Sequence, residues 1–261
     1  MFNFKKKKES ETILYLKKEL NLKYLNQIEE QLKSNQEIIE YHYKDDKLYI
    51  INEQSCLYHI VNSTSKIEKL ANSIVSNEVD VMFDIGANIG LFGYFFKKKY
   101  PNANMFLFEP DKKLLPIIEK NLQKFTKKTI INSAVSDFNG EIDFFYNPNS
   151  SQTNSTEIEA LLPFIDKNDI IKSTVACTTL KSFCEKSKIT AIDVLKIDIQ
   201  GGEYKALKSS EDILGFTKEV LLEVCFLMPE TIPLINLMYQ HYKNYDPINE
   251  IIMGADLKFS K

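Results

Sequence analysis

Two short stretches of the chain set carboxylates beside glycines in a pattern that suits a small-molecule site. One is Asp84-Ile-Gly86-Ala87-Asn88-Ile-Gly90, and the other is Asp198-Ile-Gln200-Gly201-Gly202-Glu203. Glycine is scarce, 8 in 261 residues, and five of the eight fall at Gly86, Gly90, Gly93, Gly201 and Gly202. So uneven a distribution marks places where the backbone takes unusual torsions or approaches something closely. A glycine turn between a strand and a helix makes a ligand cradle at the carboxyl edge of an α/β sheet; its plainer reading is a structural tight turn. The dinucleotide fingerprint G-x-G-x-x-G is absent, because Asn88 stands where its second glycine lets the backbone meet a pyrophosphate. That argues against NAD and FAD. In Phe108-Glu109-Pro110-Asp111 the Glu109 carboxylate can accept both hydroxyls of a ribose, or be a solvated strand end, and Pro110 closes the strand and opens the next helix.

Asp198 ends an expected strand, Ile192–Asp198, which places its carboxylate at the sheet edge where α/β enzymes assemble their sites. It is the first choice for a general base or a metal-binding acid; the other reading is an N-cap for the helix beginning near Gly202. Glu203 reaches the same pocket or favours that helix through its dipole. Glu223 is the only charge in the run Val220–Met228. A carboxylate buried on a strand needs a partner, which Lys196 or a metal would supply. His241 is either a base from the C-terminal region or an ordinary surface or core histidine.

These residues need a scaffold. From Val79 the pattern alternates strands and helices: strands at Val81–Ile85, Asn104–Glu109, Thr129–Val135, Ile192–Asp198 and Val220–Val224, with helices over Ile89–Tyr100 and Asp111–Phe125. Repeated βα units predict a parallel sheet covered on both faces. Glu141–Tyr146 alternates like an added antiparallel strand with Asn139-Gly140 as its turn, and Asn147–Ser155, rich in Asn and Ser, reads as a mobile loop. Ahead of the βα pattern, Glu9 to about Glu40 favours amphipathic helix, Lys47–Asn52 and Cys56–Val61 read as strands around a turn, and Ser65–Ser76 as a helix. Residues 1–78 are therefore expected to form a helical and hairpin cap on a main domain of residues 79–261.

Composition narrows the function. All 33 basic residues are lysines, and the net charge is −3, so no guanidinium fork meets a phosphate and the basic footprint of a nucleic-acid enzyme is missing. Cys56, Cys177, Cys184 and Cys225 show no metal-ligand spacing. The chain shows no signal peptide and no membrane span, which leads us to expect a cytoplasmic protein.

Taken in order, Asp84 to Gly90, Phe108 to Asp111, Asn121-Leu, Ala134-Val-Ser-Asp137 and Lys196-Ile-Asp-Ile-Gln-Gly-Gly-Glu203 resemble the FkbM family of class I S-adenosylmethionine-dependent methyltransferases over residues 80 to 225. The resemblance implies a Rossmann-like α/β fold with a mostly parallel seven-stranded sheet, its last strand antiparallel, and a closing hairpin from Pro247–Ile252 and Asp256–Phe259. It implies S-adenosylmethionine bound by Asp84, Gly86, Ala87, Asn88, Gly90, Glu109, Pro110, Ala134, Val135 and Ser136. Asp198, Glu223 and Glu203 would be the acids of the catalytic site, and Asp198 the one candidate for a Mg²⁺ or Mn²⁺ ligand. The family usually carries an acid where this chain has Gln200, and its Thr-Leu-Asp segment is Thr179-Leu180-Lys181 here. The implied reaction is O-methylation of a sugar hydroxyl, on a nucleotide-activated sugar or a glycan of bacterial capsule or lipopolysaccharide assembly. The alternatives are a secondary metabolite, lipid or protein acceptor, or a cofactor-binding protein that has lost catalysis. The N-terminal helices would serve an oligomer, a lid or plain packing.

Overall fold

The structure is a computed structural model that describes residues 22–34, 36–251 and 254–261. Its centre follows from strands that are apolar on both faces. β3 (Val81–Ile85) and β9 (Ile192–Ile197) are buried almost throughout, as strands covered by helices on both sides must be. Among the described residues they lie in a seven-stranded sheet of order β11-β12-β10-β9-β3-β4-β5. The other members are β4 (Asn104–Phe108), β5 (Lys128–Ile131), β10 (Thr217–Cys225), β11 (Asn244–Ile251) and β12 (Gly254–Ser260). β5, β4, β3, β9 and β10 run parallel; β12 is antiparallel to β10, and β11 to β12. This is the α/β arrangement with a closing hairpin that the sequence implied. The chain leaves β3 toward β4 and β5, then returns to β9 on its other side, so the strand order reverses at β3. Ligand crevices open at such a reversal, outside the carboxyl ends of the strands.

One apolar layer covers each face. α3 (Leu91–Lys99) and α4 (Leu115–Leu122) pack on the first with the N-terminal elements, which share one core with the sheet: Ile39, Leu48, Ile50 and Cys56 lie in the same cluster as Met82, Phe92 and Leu107. α5 (Leu180–Ser187), α6 (Glu203–Lys208), α7 (Glu211–Gly215) and α8 (Thr231–His241) pack on the second around Phe83, Leu195 and Leu222. Among the described residues no helix is long and apolar enough to cross a membrane.

The N-terminal region departs from expectation. The helix expected over Glu9–Glu40 lies partly outside the described residues; within them α1 (Leu22–Lys33) is helical, and Ile28 is buried against the rest of the chain. The hairpin pairs β1 (Ile38–Tyr43) with β2 (Asp46–Ile51). Cys56–Val61, expected as the second strand, is helical instead, as Cys56–Tyr58 running into a π turn at His59–Ser63 and then α2 (Thr64–Asn72). Cys56, His59, Ile60 and Thr64 are its buried positions, a helical spacing that a six-residue apolar run does not reveal in advance.

The expected third strand, Thr129–Val135, is also divided. Lys128–Ile131 joins the main sheet, while β6 (Ala134–Val135) belongs to a small sheet with β7 (Gly140–Tyr146) and β8 (Ile171–Thr178). β8 went unforeseen because most of its residues face solvent and leave no apolar alternation to read. The Asn/Ser-rich segment expected to be mobile is tied down: Ser55 N–H donates to Asn149 O at 3.1 Å and Ser151 N–H to Glu53 Oε2 at 2.9 Å. One side chain links the hairpin to the sheet edge. Asn121 Oδ1 accepts Tyr49 N–H at 2.8 Å, while its Nδ2 donates to Tyr49 O at 2.9 Å and to Ile89 O at 2.7 Å.

Candidate active site

The carboxyl ends of β3, β4, β9 and β10 open into a cavity of about 600 Å³. One end is the glycine turn after β3. Gly86 N–H and Ala87 N–H both donate to Phe108 O, at 3.0 and 2.9 Å, which lashes the turn to β4. Gly86 has φ +78°, and a Cβ there would lie 1.9 Å from Asp198 O, so only glycine fits between the turn and the β9 loop. Asn88 takes φ +49° in place of the fingerprint glycine, a left-handed conformation that Asn reaches more readily than most residues. Gly86, Ala87 and Asn88 line the cavity. Gly90 sits behind them at φ +77° as the N-cap of α3. Asp84 lies fully buried below the turn, where Lys196 Nζ is 3.2 Å from its Oδ1.

Glu109, at the end of β4, is the next wall. Its Oε2 accepts Asn88 N–H at 2.7 Å and its Oε1 accepts Asp111 N–H at 2.8 Å, so one carboxylate joins the glycine turn to the following loop. Burial pushes Glu109 up to about 8 against those two amides. Each oxygen keeps a lone pair for a further donor. Pro110, Ala134 and Val135 continue the wall, together with Ser133. Ser136 turns away: its N–H donates to Thr178 O at 3.1 Å and its hydroxyl to Asp137 Oδ1 at 3.2 Å.

The floor is a carboxylate group organised by two donors. Gln200 Nε2 donates to Asp198 Oδ1 at 2.8 Å and to Glu223 Oε1 at 2.9 Å, bridging the two acids across β9 and β10. Gln200 holds a left-handed φ of +57° to do so. Lys196 Nζ lies 3.5 Å from Asp198 Oδ2 and donates to Gly86 O at 2.6 Å. Burial works against this ammonium, and Asp84 and Asp198 together hold it charged, raising its pKa. Glu223 is pushed well above the usual carboxylate range by burial and then by Asp198 and Asp256. Asp256 sits opposite Glu223 in the β10–β12 register and lines the same cavity. Burial raises it to about 6, and Asn249 Nδ2 donates to its Oδ2 at 2.8 Å.

Glu203 does not face the cavity. Its carboxylate accepts Ile199 N–H at 2.8 Å and Gly201 N–H at 2.9 Å, bracing the loop that carries Gln200, and burial raises it to about 7. His241 lies away from the site, its Nε2 3.2 Å from Glu211 Oε1. Among the described residues no three or more His, Cys, Asp or Glu side chains are arranged to hold a metal ion. Beside Asp198 the cationic position is filled by the Lys196 ammonium, so the donor set does not fit Mg²⁺ or Mn²⁺.

The remaining wall comes from residues that the sequence did not single out. Ser55, Tyr58, His59 and Ser63 face it from the N-terminal helical run, and Asn149, Ser150 and Gln152 from the segment after β7. His59 Nδ1 is 3.1 Å from Ser63 Oγ and its Nε2 3.3 Å from Ser150 Oγ, so the imidazole joins the two segments. Burial lowers His59 to about 4, which keeps it neutral. No signal in the sequence sets His59 apart, since Cys56–Val61 reads there as a strand and its helical burial appears only in the fold.

The methyltransferase FkbM domain model matches residues 84–247. The 2-O-methyltransferase NoeI of Sinorhizobium fredii is 24% identical over 177 residues, covering 64% of this chain and 70% of that protein. The hexuronic acid methyltransferase AglP of Haloferax volcanii is 25% identical over 153 residues, 57% of each chain. The crystal structure of M. jannaschii TYW2 in complex with AdoMet is a distant likeness, 10% identical at a TM-score of 0.49 over 87% of this chain and 88% of that one.

Proposed function

The chain belongs to the FkbM methyltransferase family, and from that premise we propose that it methylates a sugar hydroxyl with S-adenosylmethionine as donor. The observation that carries the reading is a single cavity that joins the glycine turn and Glu109 at one end to the Asp198–Gln200–Glu223 bridge on its floor. The sugar acceptor is supported by two relatives whose names specify a 2-O-methyltransferase and a hexuronic acid methyltransferase.

The residues present fit the donor. Gly86, Ala87 and Asn88 line this end of the cavity, Glu109 has lone pairs free for ribose hydroxyls, and Pro110, Ala134 and Val135 offer an apolar border for adenine. Gly90 and Ser136 support this end from behind, and Asp84 acts through Lys196. When bound, S-adenosylmethionine supplies a methyl group on a positively charged sulfur.

Asp198 takes the proton of the acceptor hydroxyl. Gln200 donates to its carboxylate and the Lys196 ammonium lies 3.5 Å from its other oxygen, which fixes its orientation. Burial and the neighbouring Asp198 raise the pKa of Glu223, which disfavours a second negative charge beside Asp198. Glutamine at position 200 therefore leaves an acid in place and a donor to aim it. Holding acceptor oxygen, methyl carbon and sulfur in line contributes the larger part of such a displacement, and the cavity walls supply that confinement.

Isothermal titration with S-adenosylhomocysteine tests the donor assignment. Micromolar binding that is lost in Glu109→Ala is the expected result; a wild-type protein that binds nothing overturns it. Transfer of a tritiated methyl group to sugars, reduced by about a hundredfold or more in Asp198→Asn, tests the reaction.

A further inference from the structure

If the acceptor is a sugar, the charge and shape of the cavity bear on the form in which that sugar arrives. Four carboxylates, Glu109, Asp198, Glu223 and Asp256, line the cavity against two lysines, Lys66 and Lys196. Lys196 is fully engaged by Asp84, Asp198 and the Gly86 carbonyl. Lys66 stands near Asp256, close enough to favour its ionised form. No arginine exists in the chain to supplement them.

Backbone amides are the other common seat for phosphate, and here the protein's own acids already fill them. Glu109 takes the amides of Asn88 and Asp111, Glu203 those of Ile199 and Gly201, and Glu53 that of Ser151. A diphosphate entering this cavity would find Lys196 already held by Asp84 and Asp198, Lys66 shared with Asp256, and these five amides occupied.

The wall away from the glycine turn has another character. Tyr58 and Phe164 are 44% and 48% exposed, and of the exposed large apolar side chains among the described residues these two line the cavity. The same cavity is lined by uncharged hydrogen-bonding groups such as Ser63, Asn149 and Gln152. Exposed aromatic rings beside a pocket are informative where scattered apolar side chains are not. A ring face packs against the C–H face of a sugar, and neutral amides and hydroxyls suit its hydroxyl groups.

We infer that the acceptor is an uncharged glycosyl residue, presented as a glycoside or oligosaccharide and seated against Tyr58 and Phe164, rather than a nucleotide diphosphate sugar. The inference rests on the sugar O-methylation reading above.

The test is tritiated methyl transfer to p-nitrophenyl glycosides of glucose, galactose and N-acetylglucosamine, each run beside the corresponding UDP-sugar. The expected result is transfer to at least one glycoside at a kcat/KM about tenfold or more above its UDP-sugar, whose diphosphate would lose its water without gaining free cationic or amide partners. Tyr58→Ala and Phe164→Ala should each raise the glycoside KM by about tenfold with S-adenosylhomocysteine affinity unchanged by titration, which also shows that the variants fold. Equal or faster transfer to the UDP-sugar, or an unchanged KM in both variants, overturns the inference and leaves the sugar reading standing. Transfer to neither class by a protein that binds S-adenosylhomocysteine overturns the sugar reading, and this inference with it.

Discussion

The end of the cavity assigned to the donor and the wall assigned to the acceptor are held by different means. At the donor end the contacts run through the main chain: Gly86 and Ala87 amides on the Phe108 carbonyl, and Asn88 and Asp111 amides on Glu109. On the acceptor wall they run between side chains, His59 to Ser63 and Ser150, and Ser63 to Gln152. A site built from backbone torsions admits few residue types, whereas a wall built from side chains can be changed one residue at a time. Chemistry common to a family belongs on the first kind of structure and the choice of acceptor on the second.

This contrast can be broken most directly at Gly86. Gly86→Ala puts a methyl 1.9 Å from Asp198 O at φ +78°, and we expect a loss of roughly 3 kcal/mol or more of stability, read by urea denaturation. A stable variant that still binds S-adenosylhomocysteine would show that the donor end tolerates what its backbone geometry forbids. Asp198→Asn should lower kcat by about 10² to 10⁴-fold while S-adenosylhomocysteine affinity stays near wild type. Gln200→Glu replaces a shared donor with another negative charge between Asp198 and Glu223. Its kcat should fall by about tenfold.

Glu109 gives a smaller effect with a definite sign. Its carboxyl, usually near 4.5, is raised to about 8 by burial, so the folded chain binds the proton more tightly than the unfolded one. Stability contributed by that proton is present below about 4.5 and lost as pH climbs through about 8, at a slope of up to about 1.4 kcal/mol per pH unit. Glu109→Gln should flatten that part of a Tm-versus-pH curve. It should also remove the gain in S-adenosylhomocysteine affinity, about tenfold at most, expected in wild type between pH 6 and 9 as the carboxylate forms. Gln152→Ala on the acceptor wall should change the acceptor KM by less than about threefold and donor affinity not at all. A larger change in donor affinity would mean that the two walls are not independent.

The same division governs what could be read in advance. β3 and β9 announce themselves as short, mainly apolar runs broken by Asp84 in one and by Asp193 and Lys196 in the other, and the glycines after them mark the turns because glycine is otherwise so rare. Asp198 and Glu223 stand out as charges at the ends or in the middle of such runs, and the cavity brings them together with Glu109. The mutual arrangement of these acids was not legible, because the Gln200 bridge depends on a left-handed backbone torsion and on the β9–β10 register. Asp256 reaches the site through the pairing of β12 with β10, a relation between positions 33 residues apart, Glu223 and Asp256. The acceptor wall was hidden for a different reason: Ser, Asn and Gln are the ordinary residues of loops, and only packing turns them into a lining.

Asn121 bonds on one side to the β2 backbone at Tyr49 and on the other to the Ile89 carbonyl within the glycine turn. Its consequence concerns how readily such proteins exchange parts. A new N-terminal segment grafted onto this sheet would have to present an amide and a carbonyl to residue 121, or leave a buried side chain and the turn it steadies half satisfied. The accessory hairpin and the glycine turn are thus coupled through one side chain, and replacing one calls for a matching change in the other.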